Sequence, residues 1–99
     1  MSRYVLLDFW ADWCKPCKMM GPIIDKIEKD YPGIEIVRIN ADEDSAMVQK
    51  YNVLTVPTYI LEKDGEIISF VKGAMPEYKF KKELNLDALS FGENSTDAS

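Results

Sequence analysis

The chain has 99 residues, 46% of them hydrophobic, a length and composition suited to one packed domain. Seventeen acidic residues against twelve basic ones leave a net charge of −5, which argues against nucleic acid or anionic lipid as the main partner. Two cysteines and no histidine exclude an imidazole base, a Ser–His or Cys–His nucleophile and a mixed Cys/His zinc site within one chain.

The first residues, Met1-Ser2-Arg3-Tyr4-Val5, carry no basic region followed by a long apolar segment and a cleavage site. No apolar run is long enough to span a bilayer, so no membrane is expected. The expected compartment is the cytoplasm, where thiols are kept reduced.

In chain order, Tyr4 to Trp10 is apolar on both faces apart from Asp8, which predicts a central strand with Trp10 in the core. From about Cys17 to Tyr31, Met19, Met20, Ile23, Ile24, Ile27 and Tyr31 recur at spacings of three and four, predicting an amphipathic helix. Pro16 suits its first turn, Pro22 should kink it, and Pro32-Gly33 should end it. Residues 34–40 are rich in β-branched side chains and predict a second strand. Asp44 or Ser45 caps a short helix reaching Tyr51, with Asn52 at its left-handed end. Strands over Thr58–Glu62 and Glu66–Lys72 flank Asp64-Gly65, a strong hairpin signal. Gly73 breaks the last strand, and Pro76 opens a final helix with Phe80 and Leu84 on its inner face. Residues 1–89 read as one domain, and 90–99 as a disordered tail.

The order is β-α-β-α-β-β-α. Two strands joined through a helix should be parallel with a right-handed crossover, and the hairpin adds an antiparallel pair. The expected architecture is an α/β fold with a four-stranded mixed sheet and helices on both faces.

Cys14 and Cys17 stand one turn apart at the start of the first helix, close enough to bond with little backbone movement. The helix dipole and free backbone N–H groups stabilise a thiolate at the first cysteine. Cys14 is therefore the expected nucleophile, with the more exposed sulfur, and Cys17 the resolving thiol. Half of a zinc or iron–sulfur site is the competing reading, but such sites need about four ligands and one chain supplies two. A purely structural bridge over so short a loop would constrain the unfolded chain little.

Asp8-Phe9-Trp10-Ala11-Asp12-Trp13-Cys14-Lys15-Pro16-Cys17-Lys18-Met19 resembles the active-site segment of the thioredoxin family. Val56-Pro57-Thr58 is similar to the family's cis-proline triplet, and Asp64-Gly65 with Gly73-Ala74 to its hairpin and closing glycine. The resemblance runs from about residue 4 to residue 86.

It implies a thioredoxin-like fold and a protein dithiol–disulfide oxidoreductase working through a mixed disulfide. It further implies disulfide-containing proteins as partners, a thioredoxin-reductase-type electron donor, and no bound cofactor or metal. Carried over, Pro57 would be cis beside the cysteines, with the Val56 backbone left to pair with an extended substrate segment. Trp13 would shield the dithiol and offer apolar contact, and Gly73 and Ala74 would keep the groove wall low. Asp8, an acid among apolar neighbours, would accept the proton of Cys17. Arg38 stands where the family usually has lysine, so an ion pair to Asp8 is expected, opposing the effect of burial. A thioredoxin-like binding module that only docks partners through this groove is the alternative from another class.

Three departures stand out. The chain starts almost directly at the central strand, where the family normally begins with one more strand and helix. That leaves residues 34–40 as a sheet edge, with Ile34, Ile36 and Ile39 as a sticky template for a weak homodimer of an otherwise monomeric protein. Lys15 replaces the usual glycine beside Pro16 and adds positive charge near Cys14; Lys72 replaces a small apolar residue before Gly73 and with Lys15 would recruit acidic targets.

Overall fold

In the computed structural model, which describes residues 2–89, β1 (Tyr4–Trp10) lies between β2 (Ile34–Asn40) and β3 (Thr58–Lys63), and β4 (Glu66–Lys72) pairs with β3. The sheet order is β2-β1-β3-β4. β1 and β2 run parallel, from Tyr4 opposite Ile34 to Trp10 opposite Asn40. β3 is antiparallel to both β1 and β4. The β3–β4 turn has Asp64 at φ 53° and Gly65 at φ 87°, the doubly positive geometry that Asp-Gly tolerates best. The expected tail, 90–99, lies outside the described residues.

Alternation along β1 sends even-numbered side chains to one layer and odd-numbered ones to the other. On the even side, Tyr4 and Leu6 pack with Tyr59, Leu61 and Val71 beneath α1 (Lys15–Asp30) and α3 (Glu77–Glu83). Met20, Ile24 and Ile27 are the buried residues of α1, and Phe80 meets the Tyr59 ring edge-on at 4.8 Å. On the odd side, Leu7, Phe9 and Ile60 pack against Met47, Val48 and Tyr51 of α2 (Ser45–Lys50) and its C-cap. The four-stranded mixed sheet with helices on both faces is the predicted architecture.

Local chemistry sets the boundaries. α1 starts at Lys15, two residues before the apolar periodicity does, because Cys14 caps it; it continues unbroken through Pro22 to Asp30. Asp44 caps α2 by accepting from the Met47 amide at 3.2 Å, and Asn52 follows at φ 54°. Pro76 is the N-cap of α3. A single 3-10 turn, Leu86–Ala88, follows Asn85 at φ 57° and buries Leu86 in the even-side core. Two or three residues carry too little periodicity to announce such a turn.

Three expectations are corrected. Trp10 is half-buried at the end of β1 and not a core residue, because the chain leaves the sheet there. Met19 is 69% exposed: α1 turns it away from Met20, Ile24 and Ile27. β2 does lie at the sheet edge, but Ile34 and Ile39 are buried in the protein's own cores, leaving Ile36 half-buried.

Candidate active site

The end of β1 leads straight into the dithiol. The Cys14 amide donates to the Ala11 carbonyl at 3.2 Å, closing the turn over Ala11-Asp12-Trp13. Cys14 then takes an extended conformation as N-cap of α1, with Pro16 in the first turn. Its sulfur accepts a hydrogen bond from the Cys17 amide at 3.2 Å. Cys14 and Cys17 are joined by a disulfide, with Cα atoms 5.3 Å apart. The expected ranking of exposure is reversed: Cys14 is 2% exposed and Cys17 is half-buried. What distinguishes Cys14 is the amide at its sulfur, not accessibility. Lys15 is exposed.

Behind the disulfide, a cavity of about 220 Å³ is bounded by Asp8, Cys17, Lys18, Gly21 and Arg38. Asp8 is 7% exposed, since β1 carries it beneath α1. Burial pushes its carboxyl up to about 6, against the opposing pull of the Arg38 charge. Tyr59, opposite Asp8 in β3, is held above the ordinary phenol range by burial first and by the Asp8 charge second. The expected Asp8–Arg38 ion pair is absent among the described residues. Arg38 Nη2 instead donates to Asp25 Oδ1 at 2.9 Å and Glu28 Oε1 at 3.4 Å, both on α1. Arg38 therefore acts on Asp8 only through space.

In the loop that leads into β3, the Val56–Pro57 peptide is cis. The Thr58 hydroxyl donates to the Thr55 carbonyl at 2.7 Å, and the Gly73 amide donates to the Pro57 carbonyl at 3.0 Å. Gly73 sits at φ 91°, a conformation that favours glycine over any L side chain. The Val56 amide and carbonyl enter none of the backbone hydrogen bonds among the described residues. Trp13 is 70% exposed, with its indole N–H donating to Asp42 at 2.9 Å.

Trp13 and Val56 share a cavity of about 230 Å³ with Leu54, which is 83% exposed. Ala74 lies in a separate apolar recess with Met19, Met75 and Pro76. Lys72 lies over the ring of Phe70, with Nζ 6.0 Å from its centroid. The sequence reading singled out neither exposed Leu54 nor half-buried Met75, and it placed Met19 in the apolar stripe of the helix. Leu54 had one signal available: it is a large apolar side chain in a loop with no periodicity to bury it.

Among the described residues, no group of three or more cysteine and carboxylate side chains is arranged to hold a metal ion. No helix of the described residues is long and apolar enough to cross a membrane.

The thioredoxin family model matches residues 1–86. Thioredoxin 1 of Nostoc sp. is 38% identical over 81 residues, which cover 81% of this chain and 76% of that protein. The thioredoxin of Haemophilus influenzae is 37% identical over 82 residues, 82% of this chain and 77% of that one. Among solved structures, oxidised mitochondrial thioredoxin 3 of Saccharomyces cerevisiae superposes with a TM-score of 0.76 at 35% identity, covering 84% of this chain and 78% of that one. A mutant thioredoxin from Halobacterium salinarum gives a TM-score of 0.76 at 36% identity, covering 81% and 70%. Sheet topology, a disulfide at the first turn of α1 and identity over most of the chain agree: this is a dithiol–disulfide oxidoreductase that belongs to the thioredoxin family.

Proposed function

We propose that the chain reduces disulfides of other proteins, with Cys14 as attacking thiol, Cys17 as resolving thiol and Asp8 as acceptor of the Cys17 proton. The cavity shared by Asp8 and Cys17, which Cys14 does not line, carries this assignment. A base is needed at the thiol that must be deprotonated late, after the mixed disulfide has formed.

In the first step the Cys14 thiolate attacks one sulfur of the target disulfide. A Cys14–target bond forms, the target S–S bond breaks, and the departing thiolate takes a proton. In the second step Cys17 gives its proton to Asp8, directly or through one water, and its sulfur attacks Cys14. The Cys14–Cys17 bond forms and the second target thiolate leaves. Two electrons pass from the dithiol to the target, and an external reductase of the thioredoxin-reductase type returns them. The two sulfurs carry every bond change, so no bound cofactor enters the scheme.

Trp13, Val56, Pro57, Gly73 and Ala74 form the docking groove in this reading. The unengaged Val56 backbone and the exposed Trp13 ring support it: an extended target segment gains main-chain hydrogen bonds and apolar contact there. Lys15, Pro16 and Arg38 modulate the site. The working unit is a monomer that pairs weakly at high concentration, and its compartment is the cytoplasm, where a reduced dithiol is maintained. Insulin reduction by dithiothreitol is the test. Faster precipitation with the protein than without it is expected; equal rates would leave the chain as a docking module.

A further inference from the structure

Asp8 and Arg38 are register partners on β1 and β2, and both sit on the side of the sheet that α1 covers. A guanidinium so placed can form a charge-assisted pair with a carboxylate, which would hold the acid ionised. Here the guanidinium goes elsewhere. Its Nη2 donates to Asp25 at 2.9 Å and to Glu28 at 3.4 Å, acceptors three residues apart on one ridge of α1. Both acceptors are exposed, so binding them requires little of the desolvation that closing on buried Asp8 would.

We propose that Asp25 and Glu28 are positioning residues for the resolving step: they hold the Arg38 guanidinium at the mouth of the Asp8–Cys17 cavity and off the Asp8 carboxylate, leaving Asp8 able to take a proton. This rests on the reading of Asp8 as the acceptor of the Cys17 proton. Exposed ion pairs of this kind add little stability, so their consequence is where they put a charge. With two carboxylates on it, Arg38 presents Asp8 with a largely compensated cation.

The other groups facing Asp8 do not duplicate this effect. Tyr59 on β3 is neutral below its raised pKa. Lys18 on α1 and Asp12 in the preceding turn, which also line the cavity, carry opposite single charges. Cys17 is the proton donor itself. Of the cations around Asp8, Arg38 pulls its carboxyl down, and burial outweighs that pull.

The test is carbon-detected NMR titration of the Asp8 carboxyl in the oxidised full chain, where neither cysteine titrates. The Asp25→Asn/Glu28→Gln protein should titrate lower by about 0.5 pH, because Arg38 is then uncompensated. Arg38→Gln should titrate higher than the parent. In the Arg38→Gln background, the two carboxylate substitutions should move the midpoint by less than about 0.2 pH. Equal shifts in both backgrounds would mean that the carboxylates act by their own field, and the proposal fails. No shift of Asp8 on the two carboxylate substitutions in the parent protein, with Arg38 in place, also overturns it. The pH profile of insulin reduction gives a separate reading. If Asp8 moves as described but the profile stays put, the hold of Asp25 and Glu28 on Arg38 stands, while the proton-acceptor role of Asp8, and with it the link to the resolving step, is lost.

Discussion

The backbone amide of Cys17 donates to the sulfur of Cys14, while the Cys17 side chain borders the cavity containing Asp8. Each cysteine therefore has its own source of activation. Cys14 has an amide donor and the positive end of a 16-residue helix, which favour a standing thiolate. Cys17 shares its cavity with a buried acid, Asp8, which is the acceptor of its proton in the proposed mechanism.

The division of labour gives the first prediction. Cys17→Ser should accumulate a mixed disulfide with targets, since nothing resolves it. Cys14→Ser should trap nothing, because the remaining thiol lacks the amide donor that activates the Cys14 sulfur. Intact mass spectrometry after incubation with an oxidised target reads both. Adducts on Cys17 in the Cys14→Ser protein would reverse the assignment.

Asp8 also predicts how stability depends on pH. Its folded pKa of about 6 lies above the ordinary value of 3.8, so the folded chain holds this proton more tightly than the unfolded chain. Stability from this group is complete below about pH 4 and is lost as pH rises through about 6. The loss at pH 7 is on the order of 2–3 kcal/mol. Asp8→Asn should therefore be more stable than the parent at pH 7, with the advantage shrinking toward pH 4, as urea unfolding will show. The same variant should reduce insulin about ten- to a hundredfold more slowly at neutral pH. A variant that gains stability but keeps its rate would remove Asp8 from the mechanism.

The elements legible in the sequence were those with strong local physics. The Asp64-Gly65 turn, the Asp44 cap and the β-branched run at 34–40 each lie where their side chains require. The acid at position 8 was readable as buried because its neighbours on β1 are apolar on both faces. What was not readable depends on which way a side chain turns in three dimensions. Met19 fits the helical spacing of the core yet points outward, because the buried stripe of α1 runs through Met20, Ile24 and Ile27. Arg38 is next to Asp8 by register, but its destination depends on Asp25 and Glu28, which approach only when α1 packs on the sheet. Cys14 is covered although it opens a helix, a tertiary property with no local signal.

A third prediction concerns the edge of the sheet. β2 has a strand neighbour only on the β1 side among the described residues, which leaves its outer backbone groups as a pairing template. Antiparallel pairing of two copies about a twofold axis would extend the sheet without turning either face over. The apolar gain is small, since Ile34 and Ile39 are already buried and Ile36 is half-buried. The charged side chains Glu35 and Arg38 are engaged within the chain, with Arg3 and with α1 respectively. Association should be weak, with a dissociation constant near ~1 mM. Sedimentation velocity should show a monomer at micromolar concentration and reversible dimerisation as the millimolar range is approached, abolished by Ile36→Lys. A monomer throughout would show that the edge is sufficiently guarded.

The last prediction concerns Lys15, exposed in the first turn of α1 between the two cysteines. A positive charge about 7 Å from the Cys14 sulfur, in a water-like dielectric, attracts the thiolate by well under 1 kcal/mol. Stabilising the reduced form by that amount makes the couple more oxidising by only about 13 mV, and salt trims this further. Lys15→Gly should therefore move the reduction potential by about that much toward more reducing values. Its effect on target choice should be larger. The substitution removes a long side chain next to Cys14 in sequence and a positive charge that favours acidic target segments. It also loosens the first turn, since glycine has more backbone freedom to lose on folding. Equilibration of both forms with glutathione measures the potential, and competition between an acidic and a basic disulfide peptide measures preference. The parent should favour the acidic peptide, and Lys15→Gly should narrow the ratio. A potential shift above about 60 mV would mean that loop conformation, and not charge, dominates at this position.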